Sequence, residues 1–143
     1  MKLRIVIDPN RDEEIFISAH EKTQLISEIE ELVNNNFFDL TGYTETETVK
    51  LNLNEVFCFI TEDSKVYALT EKHKYRLKLR LYQLEENLNN NFVKINQSCI
   101  ANIRMIERFD ASVSGTMRVV FKNGYTDYVS RRQMKTVKER LGL

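Results

Sequence analysis

Between Phe92 and Ile106 the chain reads FVKINQSCIANIRMI, with Lys94, Asn96, Gln97 and Ser98 crowded into an otherwise apolar stretch. A buried amide without a partner costs about 1–3 kcal/mol, so this cluster reads as a loop held out from an apolar framework. Asn and Gln can pair bidentately with adenine in the major groove of DNA, and Arg and Lys with guanine. A second group echoes the first: Arg131 and Arg132 follow Ser130, where a helix should begin. The free backbone amides of a helix start favour phosphate. Ser64 and Lys65, in the turn TEDSKVY, are a third such point. The competing account is that Asn96 and Gln97 only satisfy the backbone of a turn.

Other chemistry is hard to find. His20 and His73 stand far apart among charged residues, and Gly42, Gly115, Gly124 and Gly142 are each single, so no glycine-rich phosphate loop is present. Glu13-Glu14 and Glu85-Glu86 read as solvated faces, and nothing resembles a nucleophile supported by a base. The expectation is a protein that is not an enzyme and needs neither metal nor cofactor. Cys58 and Cys99 lie among apolar neighbours (VFCFI, SCIAN) and read as buried free thiols of a reducing compartment. No apolar run approaches the ~18 residues of a membrane span. The start, MKLRIVIDPN, is too short and too soon acidic for a secretory signal. The expected location is cytoplasmic.

The 143 residues carry no net charge, but the balance is uneven. Residues 1–50 hold five basic and eleven acidic side chains, residues 51–91 six of each, and residues 92–143 ten basic and four acidic. A basic last third suggests a surface facing a polyanion there, against the plain alternative of a solvated basic face.

The elements that must position these residues follow from periodicity. KLRIVID alternates, with Leu3, Ile5 and Ile7 on one side, as a strand does, and EIFISA reads as a second candidate strand. From about Glu21 to Asn35, Leu25, Ile26, Ile29, Leu32 and Val33 make one apolar helical stripe, with Glu28, Glu30 and Glu31 largely off it. After Tyr43 the chain is β-rich: ETVKLNL, EVFCFIT, KVYALT and YRLKLRL, then a short helix in LYQLEENLNN, then FVKI, RMIERF, TMRVVFK and YTDYV. Asn123-Gly124 is the strongest hairpin signal. SRRQMKTVKERLGL reads as a helix capped by Ser130, with Gln133 completing a capping box and Met134, Val137 and Leu141 as its buried stripe.

In their order and spacing these segments resemble the LytTR DNA-binding domain. Its pattern is roughly Phe-x-Arg-Ile-His-x-Ser-x-x-x-Asn, on which Phe92, Ile95, Ser98 and Asn102 fall. VVFKNGYTDYVSRRQMKTVKERL resembles the family's closing hairpin and helix, and the stretch from Leu53 to Leu88 its opening strands and helix. The resemblance implies an α+β, β-rich fold: antiparallel strands in small packed sheets, a short middle helix and a C-terminal helix, preceded by a strand-and-helix extension. The expected division is 1–45, the extension, and 46–143, the DNA-binding domain.

It further implies a bacterial transcription regulator that sends loops into successive major grooves of double-stranded DNA. The contacting set is then Ser64, Lys65, Lys94, Asn96, Gln97, Arg131 and Arg132. Asn96 stands where the family usually has histidine and Lys94 where it has arginine, which implies a shifted target preference and loss of a bidentate fork. The resemblance is to the stand-alone kind, without a receiver domain, and implies a small membrane protein as a regulatory partner. Leu25, Ile29 and Leu32 are expected to build a homodimer contact that matches repeated half-sites. The other reading is a protein-interaction module, docking on a membrane or regulatory partner, with DNA binding weakened or lost.

Overall fold

A computed structural model describes residues 1–35, 38–111 and 115–143. Its elements in chain order are α1 (Gln24–Asn35), β1 (Thr41–Tyr43), β2 (Thr48–Lys50), β3 (Val56–Glu62), β4 (Lys65–Thr70), β5 (Lys74–Leu77), α2 (Leu81–Asn87), β6 (Phe92–Asn96), β7 (Cys99–Asn102), β8 (Ile106–Ala111), β9 (Met117–Phe121), β10 (Thr126–Val129) and α3 (Arg131–Leu141). The strands form an antiparallel sheet in the order β2-β1-β5-β4-β3-β7-β6 and a smaller one in the order β10-β9-β8. The α+β, β-rich architecture that the resemblance implies is the one observed.

Val56 through Ile60 are buried without a break, as in a strand covered on both faces. Phe59 points to one face, where it joins Ile100, Phe92, Tyr75, Leu77 and the fully buried Leu84 of α2. Cys58 and Ile60 point to the other, where they join Ile95 of β6, Val119 and Phe121 of the small sheet and Val137 of α3. The large sheet is therefore the middle layer, with α2 on one side and the small sheet and α3 on the other. Both thiols are free and buried. Cys58 beside it, and then burial, raise the Cys99 thiol well above the ordinary cysteine range, so it stays protonated.

One expectation fails at the N-terminus: no strand forms in residues 1–23. Leu3 and Ile7 are 87% and 89% exposed, and Asp8 to Arg11 close a turn through Arg11 N–H to the Asp8 carbonyl at 3.2 Å. A strand exists only through its ladder, and the chain offers these residues none. The helix does form, from Gln24 rather than Glu21, with the Thr23 hydroxyl accepting from Ile26 N–H at 3.3 Å. Leu25 and Leu32 remain exposed on it, while Ile29 is partly covered.

Elsewhere the boundaries move for local reasons. YRLKLRL is a strand only to Leu77, because Arg80 N–H is already taken by Gln83 Oε1 at 2.9 Å and Leu81 opens α2. Asn123-Gly124 does sit in the β9–β10 hairpin, in the four-residue connection between Phe121 and Thr126. Gly124 lies at φ 87° and donates to the Phe121 carbonyl at 2.9 Å, the left-handed position that glycine occupies without strain.

Candidate nucleic-acid interface

A bulge in β6 organises the site. β6 pairs with β7 through Lys94–Ile100 and Asn96–Cys99, with the register shifting between them at Ile95. The Ile95 carbonyl accepts from Ser130 N–H at 2.8 Å. That bond seats the start of α3 beside the β6–β7 turn. It also explains why only half of the expected capping box exists: the Ser130 hydroxyl accepts from Gln133 N–H at 3.3 Å, but the Ser130 N–H is spent on Ile95. At the other end of α3, Arg140 donates to the carbonyls of Asn90 (2.6 Å) and Phe92 (2.9 Å), holding the helix along β6.

The bulge also sends Lys94 and Asn96 in different directions, although a regular strand would put residues two apart on one face. Lys94 faces α2 and pairs with Glu85 at 3.5 Å. Asn96 faces β10: its amide donates to Asp127 Oδ1 at 2.9 Å and to the Tyr128 carbonyl at 2.7 Å. Its side-chain oxygen accepts from Ser98 N–H at 2.8 Å, an Asx turn. Both amide hydrogens are engaged, so in this conformation none is left for bidentate pairing with adenine. The turn account of Asn96 raised above describes its bonds; Gln97, at the tip, is exposed and makes no hydrogen bond to another described residue.

The β3–β4 hairpin lies alongside. Thr61 N–H donates to the Ser98 carbonyl at 2.9 Å, and the Glu62–Lys65 pair closes the two-residue turn Asp63-Ser64. Both turn residues have positive φ, 51° and 63°, the twist that tight hairpins prefer and that non-glycine residues rarely adopt. One edge of the molecule thus collects three short segments distant in sequence: Ser64-Lys65, Gln97-Ser98 and Arg131-Arg132. Ser64, Lys65, Gln97, Arg131 and Arg132 are all exposed, and their side chains have no ion-pair or hydrogen-bonding partner among the described residues.

Tyr128 is a residue the sequence reading passed over. Its carbonyl holds Asn96, and the residue is 53% exposed two positions before the Ser130 cap of α3. An aromatic at an outward position of β10 was the available signal. Asp127 is surrounded by donors: Asn96, its neighbour Tyr128 N–H at 2.8 Å, and the Tyr125 hydroxyl at 3.3 Å. Burial, then the Asp127 charge, push the Tyr125 phenol up, so it remains a donor. Asn96→Ala should cost about 1–2 kcal/mol of stability and weaken specific and random DNA binding alike, measured by urea unfolding and fluorescence anisotropy. A change of preferred motif with stability intact would instead make Asn96 a base reader.

Among the described residues no three His, Cys, Asp or Glu side chains group to hold a metal ion, and no helix is long and apolar enough to cross a membrane. The family model described as the LytTr DNA-binding domain matches residues 46–142. A Staphylococcus aureus (strain NCTC 8325 / PS 47) protein named as an HTH-type transcriptional regulator is 35% identical over 146 residues, covering 100% of this chain and 99% of that one. A counterpart in S. aureus strain MRSA252 is likewise 35% identical, with the same coverage. Although these relatives are named HTH-type, no two helices described here follow one another without an intervening strand. A solved LytTr DNA-binding domain from Bacillus cereus superposes with a TM-score of 0.70 at 22% identity, over 73% of this chain and 97% of that one. By the match across residues 46–142, and by its relatives along the whole length, this chain belongs to the LytTR DNA-binding domain family.

Proposed function

We propose that the protein is a sequence-specific DNA-binding transcription regulator that reads major-groove edges with Gln97 and Arg132. Ser64, Lys65 and Arg131 hold the phosphates, while Asn96 positions the turn and Lys94 braces it through Glu85. The observation that carries this reading is the convergence of three exposed, unpaired polar segments on one edge. Phosphate contacts place a protein on a duplex and base contacts specify the site; the start of α3 suits the first role through its amides and the second through its guanidinium groups.

In the same reading residues 46–143 are the DNA-binding domain and residues 1–45 an extension that makes the protein a homodimer through Leu25, Ile29 and Leu32. It works in the cytoplasm, where the family resemblance adds a small membrane protein as regulator. Selection from random duplex DNA, followed by titration of the winner at several salt concentrations, tests the whole. The expected result is a repeated short motif and a log–log salt slope steepening by about −0.9 for each phosphate neutralised. No enriched motif and no slope would overturn the proposal in favour of a protein-docking module. Gln97→Ala should change the selected base at one position of each half-site; an unchanged motif would remove Gln97 from the readers.

A further inference from the structure

The N-terminal segment carries a pattern that the isolated chain leaves unused. Leu3, Ile5 and Ile7 alternate with Lys2, Arg4 and Val6, all four apolar side chains are largely exposed, and no ladder forms. The segment nevertheless ends in a formed turn, where Asp8 accepts from Arg11 N–H through its carbonyl and from Asn10 N–H through Oδ1 at 3.0 Å. A segment with this alternation, exposed apolar side chains and no ladder of its own is a template for another strand.

Its sequence says which strand. From the spacing and charges of residues 2–8 we infer that this segment pairs antiparallel with the same segment of a second copy, about a two-fold axis at Ile5. Ile5 then lies opposite Ile5, Leu3 opposite Ile7 and Lys2 opposite Asp8. One face gathers Leu3, Ile5 and Ile7 from both copies, and each end of the other face closes with a Lys2–Asp8 ion pair. Two-fold pairing is self-complementary by construction, and this segment meets its condition in both hydrophobicity and charge. A slip of one residue would set Leu3, Ile5 and Ile7 of one copy on the side of Lys2, Arg4 and Val6 of the other, so the register is specified.

The inference deepens the dimer part of the proposed function and rests on that part alone. The 143-residue protein at tens of micromolar should sediment as a dimer held by the strand pair together with the α1 contact, and Ile5→Asp, which sets two carboxylates together on the axis, as a monomer, because neither contact suffices alone. Lys2→Asp and Asp8→Lys should each raise the dimer dissociation constant by about tenfold, and the double variant should return it towards the parent. Ile5→Cys should cross-link into a covalent dimer under mild oxidation. Lys2→Cys should not, because the two copies of position 2 lie ~20 Å apart along the ladder; the native thiols are buried. A parent that sediments as a monomer, a dimer indifferent to Ile5→Asp, a double variant no better than the singles, or equal cross-linking at positions 2 and 5 would overturn the pairing. Anisotropy on a single half-site separates the two ideas. A motif and salt slope that persist in the Ile5→Asp monomer keep the DNA reading whatever becomes of the strand pair, and their absence from the parent removes the DNA reading alone.

Discussion

Arg132→Ala should weaken binding to the selected DNA site by about 1–3 kcal/mol, roughly 5- to 150-fold, and binding to random DNA by much less. The side chain is exposed at the first turn of α3 and has no partner among the described residues, so its removal disturbs no bond within the protein. Denaturant midpoints of parent and variant should therefore agree. Anisotropy titrations at one fixed salt concentration, on specific and scrambled duplexes, decide the role. Equal losses on both would reduce Arg132 to a phosphate contact, and no loss on either would take it out of the interface. Arg132→Lys sharpens the comparison: a lysine keeps the charge but not the planar fork, so it should restore random binding and leave much of the specific loss in place.

Asn102→Ala should act on the framework instead, lowering stability by about 2–4 kcal/mol. Asn102 is the one polar side chain buried in the core among the described residues, 2% exposed. Its amide donates to the Val56 carbonyl at 2.8 Å, and its oxygen accepts from Arg104 N–H at 3.1 Å. The first bond serves a carbonyl at the place where β3 shifts register against β4; losing it leaves a buried acceptor unsatisfied, about 1–3 kcal/mol. The second caps the short helical turn Ile103–Met105, worth about 0.5–2 kcal/mol. Urea unfolding should show a lower midpoint with an unchanged slope, while the folded fraction selects the parent's motif. A midpoint within error of the parent would mean that the neighbouring strands relax enough to satisfy Val56 by themselves.

These two residues mark different degrees of legibility. Asn102 lay on the family pattern, but nothing in its neighbours announced that it would reach 46 residues back to Val56. Arg132 was legible because a serine cap and an apolar stripe locate a helix start from a dozen adjacent residues. Asn96 was legible as polar and out of the core, yet its partners Asp127 and Tyr128 come from β10, and they occupy the amide that adenine would need. Lys94 was grouped with the others by proximity in sequence, which a single bulged residue undoes.

What the sequence determined alone is therefore local. The periodicities of β3 to β10, the stripe of α3, its Ser130 cap and its Gly142 stop at φ 70° depend on residues within a turn or two of one another. The charge gradient and the order of motifs also needed no structure. Only the tertiary structure decided that Ser64, Gln97 and Arg132 share one edge, because strand pairing and the Ile95–Ser130 bond join segments far apart in the chain. It alone showed that residues 2–8, although patterned as a strand, form none within the chain. A strand's hydrogen bonds are made with another segment, and its own sequence states the readiness to pair without supplying the partner.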